Sequence, residues 1–140
     1  MHPIAALLII AGLLMGSSSP AAARDGAGNG SSDIDAGVVL VADRNLTGSY
    51  FTNTVVLLLQ HDDHGSIGVI LNRRTGFLLE QLLPELPHAR KSGHAIYLGG
   101  PVSPDTLLML MRHEKTASGI APLMDGVSFS LEREVLEALL

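Results

Sequence analysis

His61-Asp62-Asp63-His64 sets two imidazoles and two carboxylates in four consecutive positions, all of them ligand types for a hard or borderline metal ion. The spacing argues against a metal centre. On a strand, His61 and Asp63 point one way and Asp62 and His64 the other, so two ligands at most converge. At a hairpin tip all four are solvated, whereas preorganised metal sites draw ligands from separate elements. With Gly65 following, the cluster reads as a polar turn. His61 and Asp63 are therefore set aside as ligands, and no cofactor is expected.

Two other stretches carry chemistry. Asn72-Arg73-Arg74-Thr75-Gly76 closes an apolar run with an amide and two guanidiniums, and a guanidinium fork suits a carboxylate or phosphate. A solvated strand end, with Asn72 bonding its own turn, accounts for the same residues. Gly99-Gly100-Pro101 lacks the spacing of a phosphate-cradling loop and is explained by a tight turn, with Pro101 fixing the exit. A Gly-Gly pair beside a cavity would nonetheless let a ligand approach the backbone. Asn72, Arg73, Gly99 and Gly100 are thus the candidate ligand-binding residues, for a small anionic ligand or, in the alternative, for the substrate of an enzyme using this region. No catalytic residue is assigned. The chain has no Gly-x-Ser-x-Gly elbow, nothing requires Ser66, Asp105 and His113 to meet, and His88 and His94 sit in a polar connector without evident partners.

The elements that must position these residues follow from hydrophobic patterning. Gly37–Ala42 is a short β-branched run, expected as a buried strand. Asp43–Asn53 is turn-prone, with Tyr50-Phe51 as an aromatic plug closing the loop over the core. Val55–Gln60 and Ile67–Leu71 form a hairpin with a loop of the longer kind. Gly68 inside the second strand marks a bulge or a close backbone approach. Leu78, Leu79, Leu82 and Leu83 share one helical face, and Pro84 and Pro87 end that helix. Ile96–Leu98 and Val127–Phe129 are strands. Leu107–Met111 fits strand or buried helix, with strand preferred. Ser130 is expected to cap a last helix, with Glu132 and Glu134 in its first turn. Leu139-Leu140 at its end would be exposed without a partner surface. Strands mixed with two short helices give an α+β class.

Ile4–Met15 is an apolar run followed by small residues and Ala21-Ala22-Ala23. It is too short for a bilayer span, which takes about 20 residues. This is the layout of a cleavable export signal over residues 1–23, although only His2 and the amino terminus supply positive charge ahead of it. Export to the periplasm or medium is the expectation, with a cytoplasmic protein as the alternative if the start is misassigned. No stable membrane span is expected after cleavage. Residues 24–36 are rich in Gly, Ser, Asp and Asn and read as a flexible leader. The folded domain is expected over 37–140, a size that suits one domain.

Hydrophobic residues make up 46% of the 140-residue chain and aromatics 4%, with no Trp, so the core must be aliphatic. Net charge is −5. An acidic chain with no basic block lacks the electrostatic footprint of nucleic-acid binding. The absence of cysteine excludes disulfides, thiolate nucleophiles, Cys-ligated zinc and a lipid anchor on an N-terminal Cys.

The order Leu40-Val41-Ala42, Tyr50-Phe51 to Val55-Val56, His61 with Gly65, Gly68-Val69-Ile70-Leu71-Asn72 and Tyr97-Leu98-Gly99-Gly100-Pro101-Val102 resembles the YqgE/AlgH family over residues 37–140. The resemblance implies a bent, largely antiparallel sheet folded into a pseudo-barrel with a few short helices, and no agreed enzymatic activity. One branch is named for a regulatory role in alginate production, so a transcriptional regulator is an alternative by family name only; the acidic charge and the export signal oppose it. The family's usual Asn-Lys-Pro is Asn72-Arg73-Arg74 here, so a role for that Lys does not carry over. Members look cytoplasmic, and they continue past the last helix into a Gly-Tyr-x-Gly-Trp-like strand. This chain is accordingly expected to be an exported binding or accessory module, incomplete at its C-terminus. Its partner would be a protein or a small anionic ligand.

Overall fold

The computed structural model describes residues 7–11, 35–103, 105–112 and 117–140. Along the chain the strands are β1 (Leu7–Ala11), β2 (Val39–Val41), β3 (Val55–Asp62), β4 (Gly65–Ile70) and β5 (Arg74–Leu78). Helix α1 (Leu79–Leu82) and a 3-10 turn (Ala89–Lys91) come next. They are followed by β6 (Ala95–Gly99), β7 (Leu107–Arg112), β8 (Ala121–Met124), β9 (Val127–Ser130) and α2 (Arg133–Leu139). The class is α+β, as the patterning predicts, and the ladders are largely antiparallel, as the family resemblance implies.

The strands form two sheets, one in the order β5-β6-β1-β7-β9-β8 and one in the order β2-β3-β4. The exception to antiparallel pairing is β1, which runs parallel to β6 and antiparallel to β7. Beside that slot, β4 lies against both β1 and β6. Leu57, Leu59 and Val69 of the smaller sheet meet Leu108 and Leu110 of β7 in one cluster. Met109 and Met111, on the opposite face of β7, join Ile96, Leu79, Ala89 and Leu136 in a second. The period-2 alternation of a strand thus divides β7 between two aliphatic cores. The domain has three layers: small sheet, large sheet, helices.

Several elements differ from what the patterning predicts, each for a physical reason. Strand β2 is exposed along its length, at 46, 43 and 73% for Val39, Leu40 and Val41, because it is an end strand paired only with β3. Residues 74–76, expected as a turn, open β5 against β6. The leucine face shrinks to one turn of helix, with Leu79 fully buried and Leu82 exposed. Ala121–Met124 pairs with β9 as an additional strand, despite Pro122, because β8 ends the sheet and tolerates a missing amide. Ser130 does not cap α2; its hydroxyl accepts from the Glu132 amide, and Glu132 occupies the cap position without a side-chain bond. Leu139 and Leu140 are half-buried, packed against the cluster of Met109, Met111 and Leu136. The expected leader lies outside the described residues except for 35 and 36. Within the expected export signal, Leu7–Ala11 is the described part.

The hairpin β3–β4 is tighter than expected. Its ladder continues through His61↔Ser66 and Asp62↔Gly65, leaving only Asp63-His64 in the turn. Gly65 sits at φ 140°, the left-handed side that glycine tolerates. The register slips between Leu58 and Gln60, opposite Gly68 and Ile67, so the bulge foreseen at Gly68 falls across the pair from it. Close approach holds too: a Cβ on Gly68 would stand 2.9 Å from Val56 Cγ1 and 3.1 Å from the Leu57 carbonyl. Gly68→Ala is expected to destabilise the domain by about 1–3 kcal/mol through overpacking, read as a lowered midpoint in urea unfolding with an unchanged slope.

Candidate functional site

Asn72 and Arg73 are placed by the exit of β4, and both side chains are engaged within the fold. The Asn72 carboxamide accepts from the Val55 amide at 3.0 Å and donates to the Asn53 carbonyl at 2.9 Å. It ties the start of β3 to a residue held at φ 57°. This is the amide–backbone role that sequence allows at a strand end, extended here across the hairpin. The Arg73 guanidinium lies 4.2 Å above the centre of the Tyr50 ring and donates to the Tyr50 carbonyl, a cation–π arrangement. Arg74 is exposed at the start of β5.

The structure does bring the two halves of the candidate ligand site together. The Leu98 amide donates to the Arg73 carbonyl at 2.8 Å, so Asn72-Arg73 runs beside the end of β6. Gly99 and Gly100 are both buried there, and Gly99 is paired with Ala11. Of the nucleophile candidates, Ser66 sits on the hairpin and Asp105 lines a different cavity, with Leu107 and Leu136, while His113 lies outside the described residues.

The hairpin tip is solvated, with residues 61–65 all exposed. His61 Nδ1 is 2.7 Å from Ser66 Oγ across the ladder. Asp62 accepts from Gln60 Nε2 at 2.7 Å and from the His64 amide at 2.8 Å. Among the described residues no three His, Asp or Glu side chains gather as a metal cage. The Gln60 side chain first, and then the His64 amide, hold the Asp62 carboxyl below the usual carboxylate range.

An apolar cleft that was not among the sequence expectations lies on the outer face of the small sheet. It has a volume of about 370 Å³. Val56 and Leu58 form its floor, Leu40, Leu46 and Phe51 its walls, and the His61–Ser66 pair its polar rim. Gly68 matters here, because its missing side chain lets Val56 and Leu58 settle against β4. The Tyr50-Phe51 plug takes a different position from the one expected. The two rings meet edge to face at 5.5 Å, Phe51 walls the cleft and Tyr50 is 39% exposed under Arg73. The signal for the cleft in the sequence is the continuous apolarity of Val55–Leu59: a strand buried on both faces needs a cover on each.

An AlgH-like family model matches residues 39–140, from the first residue of β2 to the end of α2. The chain belongs to the AlgH-like family. A UPF0301 protein of Shewanella denitrificans is 32% identical over 105 residues, covering 72% of this chain and 57% of the relative. One from Parabacteroides distasonis is 39% identical over 80 residues, covering 53% and 36%. The solution structure of the AlgH protein from Pseudomonas aeruginosa superposes with a TM-score of 0.58 at 32% identity, covering 72% of this chain and 56% of that one. The AlgH-like chain described here therefore spans about half the length of the relatives it matches. Strand β1 precedes the matched stretch.

Two outcomes separate scaffold from ligand roles in this AlgH-like domain. Asn72→Ala removes the solvent-exposed bonds to the Val55 amide and the Asn53 carbonyl and is expected to cost about 0.5–1.5 kcal/mol; Asn72→Asp, which keeps the acceptor but opposes the carbonyl, should recover no more than part of it. Thermal unfolding of both variants checks this. Asp62, with its folded-state pKa lowered, stabilises the fold above the unfolded carboxylate pKa of about 3.9. That contribution is lost as pH falls through the lower folded value. The stability gap between the parent and Asp62→Asn should therefore be full at neutral pH and close in the acid range below about pH 4, as read by urea titrations across pH.

Proposed function

We propose that this AlgH-like protein is an exported binding module that works by contact. It would take an extended apolar segment of a partner protein along the free edge of β2, with side chains seated in the adjoining cleft. The observation that carries this reading is the apolar edge of β2, with Val41 73% exposed, beside an apolar cleft whose floor is already buried. An end strand offers unpaired backbone donors and acceptors, and pockets beside it select alternate side chains. Contiguous exposed apolar surface on a soluble domain marks an interaction site more often than chance packing. The layout of residues 1–23 supports export, and the net charge of −5 speaks against a nucleic-acid partner.

A small anionic ligand at Asn72, Arg73, Gly99 and Gly100 is the second reading, favoured by the 2.8 Å bond that sets Leu98 beside Arg73. Such a ligand would have to draw the Arg73 guanidinium off Tyr50.

A dansyl-labelled peptide of alternating valine and threonine should bind the parent protein with a rise in emission. Val41→Lys should weaken that binding at least about tenfold with no change in melting temperature, since Val41 is mostly solvated. Undiminished binding by Val41→Lys would refute the β2 reading. Export is tested separately by fractionating cells that express the full chain: the expected periplasmic product has a mass beginning at Arg24, and an uncleaved cytoplasmic product would refute it.

A further inference from the structure

The large sheet is held together by a strand from outside the family-matched stretch. In the order β5-β6-β1-β7-β9-β8, β1 is, among the described residues, the strand that links β6 to β7. Leu8, Ile9, Ile10 and Ala11 register with Ile96, Tyr97, Leu98 and Gly99 of β6. On the other side, Leu7, Leu8, Ile9 and Ile10 register with Leu110, Met109, Leu108 and Leu107 of β7. Without β1 the sheet divides into β5-β6 and β7-β9-β8, each with a newly unpaired edge. Two strands that flank a third stand about 9–10 Å apart, a gap that close-packed cores cannot shut by relaxing.

The slot has a defined chemistry. Its walls face aliphatic clusters on both sides, since Ile96, Met109 and Met111 belong to one core and Leu108 and Leu110 to the other. Such a slot suits a segment that is apolar at every position better than a half-solvated strand with alternating residues. Leu7-Leu8-Ile9-Ile10-Ala11 is such a segment. The slot also has a direction, parallel to β6 and antiparallel to β7. These five residues are the same ones that form the apolar centre of the export signal.

We propose that the gap between β6 and β7 is a strand-acceptor site. In the full chain it holds Leu7–Ala11; in a chain cleaved after Ala23 it takes an extended apolar segment of the same kind in trans, running parallel to β6. The first half stands independently of export, and the second rests on the cleavage proposed above.

The test uses the folded full chain carrying a specific protease site within residues 24–36. After cutting, the N-terminal fragment should co-elute with the domain in gel filtration. A fluorescein-labelled peptide of residues 5–13 should exchange into the site, and the peptide of reversed sequence should compete at least about tenfold less well. In the uncut chain, Ile9→Pro removes a ladder amide and should speed hydrogen exchange at 96–99 and 107–110 while leaving 57–59 protected. Separation of the fragment on cutting, equal competition by the reversed peptide, or unchanged exchange in Ile9→Pro each overturn the proposal. If Ile9→Pro fails to fold, the cut parent chain still decides. Val41→Lys should leave exchange of the 5–13 peptide intact, so failure here and failure of the β2 reading are told apart.

Discussion

Burial of β7 on both faces is the constraint on which the other layers depend. Four consecutive residues, Leu108 to Met111, are almost fully enclosed, and their alternation sends two to each aliphatic cluster. Such a strand cannot shift register by one residue without exchanging the two cores. Its neighbours inherit that precision. The small sheet covers one face through Leu57, Leu59 and Val69, while the other is roofed by Leu79, Ala89 and Leu136, contributed by short elements. These helical pieces of three to seven residues are too short to stand alone in water, so tertiary contact maintains them. The Arg133 pairs with Glu85 and Glu137, at 2.7 and 2.9 Å, are half exposed and add little.

How far the fold could be read from sequence follows from this arrangement. Strands buried on both faces announced themselves as continuous apolar runs, which is why β3, β4 and β7 were legible, as was the hairpin between β3 and β4. End strands gave weaker signals. β2 looks like an interior strand because apolarity alone does not record whether a neighbour exists, and β5 and β8 carry Arg, Gly and Pro that read as turns. Leu78–Leu83 has helical spacing, yet β6 draws Leu78 into a ladder with Ala95 and leaves a single turn. Leu7–Ala11 is apolar in a way that fits a signal and a sandwiched strand equally well, and local composition holds no information to separate them.

The site was legible in a different way. Asn72 and Arg73 stand out by type, and the amide was weighed as bonding its own turn, whereas it bonds backbone groups at Val55 and Asn53. What sequence could not reach is that each side chain is engaged by a residue about twenty positions earlier, Asn53 and Tyr50. The cleft was hard to foresee for a related reason: its floor is one face of β3 and its walls come from β2 and the loop after it, joined only by the fold. Beside the continuous apolarity of Val55–Leu59, Gly68 supplied a local clue, since a glycine in a strand signals that something must come close, and here it is the pair of side chains under the cleft.

The lack of tryptophan gives the molecule a simple optical signature. Just two tyrosines remain, and they occupy separate neighbourhoods. Tyr50 lies under a guanidinium beside the cleft wall, whereas Tyr97 is partly buried in β6, in register with Ile9 on one side and Arg74 on the other. Replacing either with phenylalanine leaves a single native fluorophore. The intrinsic emission then reports on one region at a time, without any attached dye.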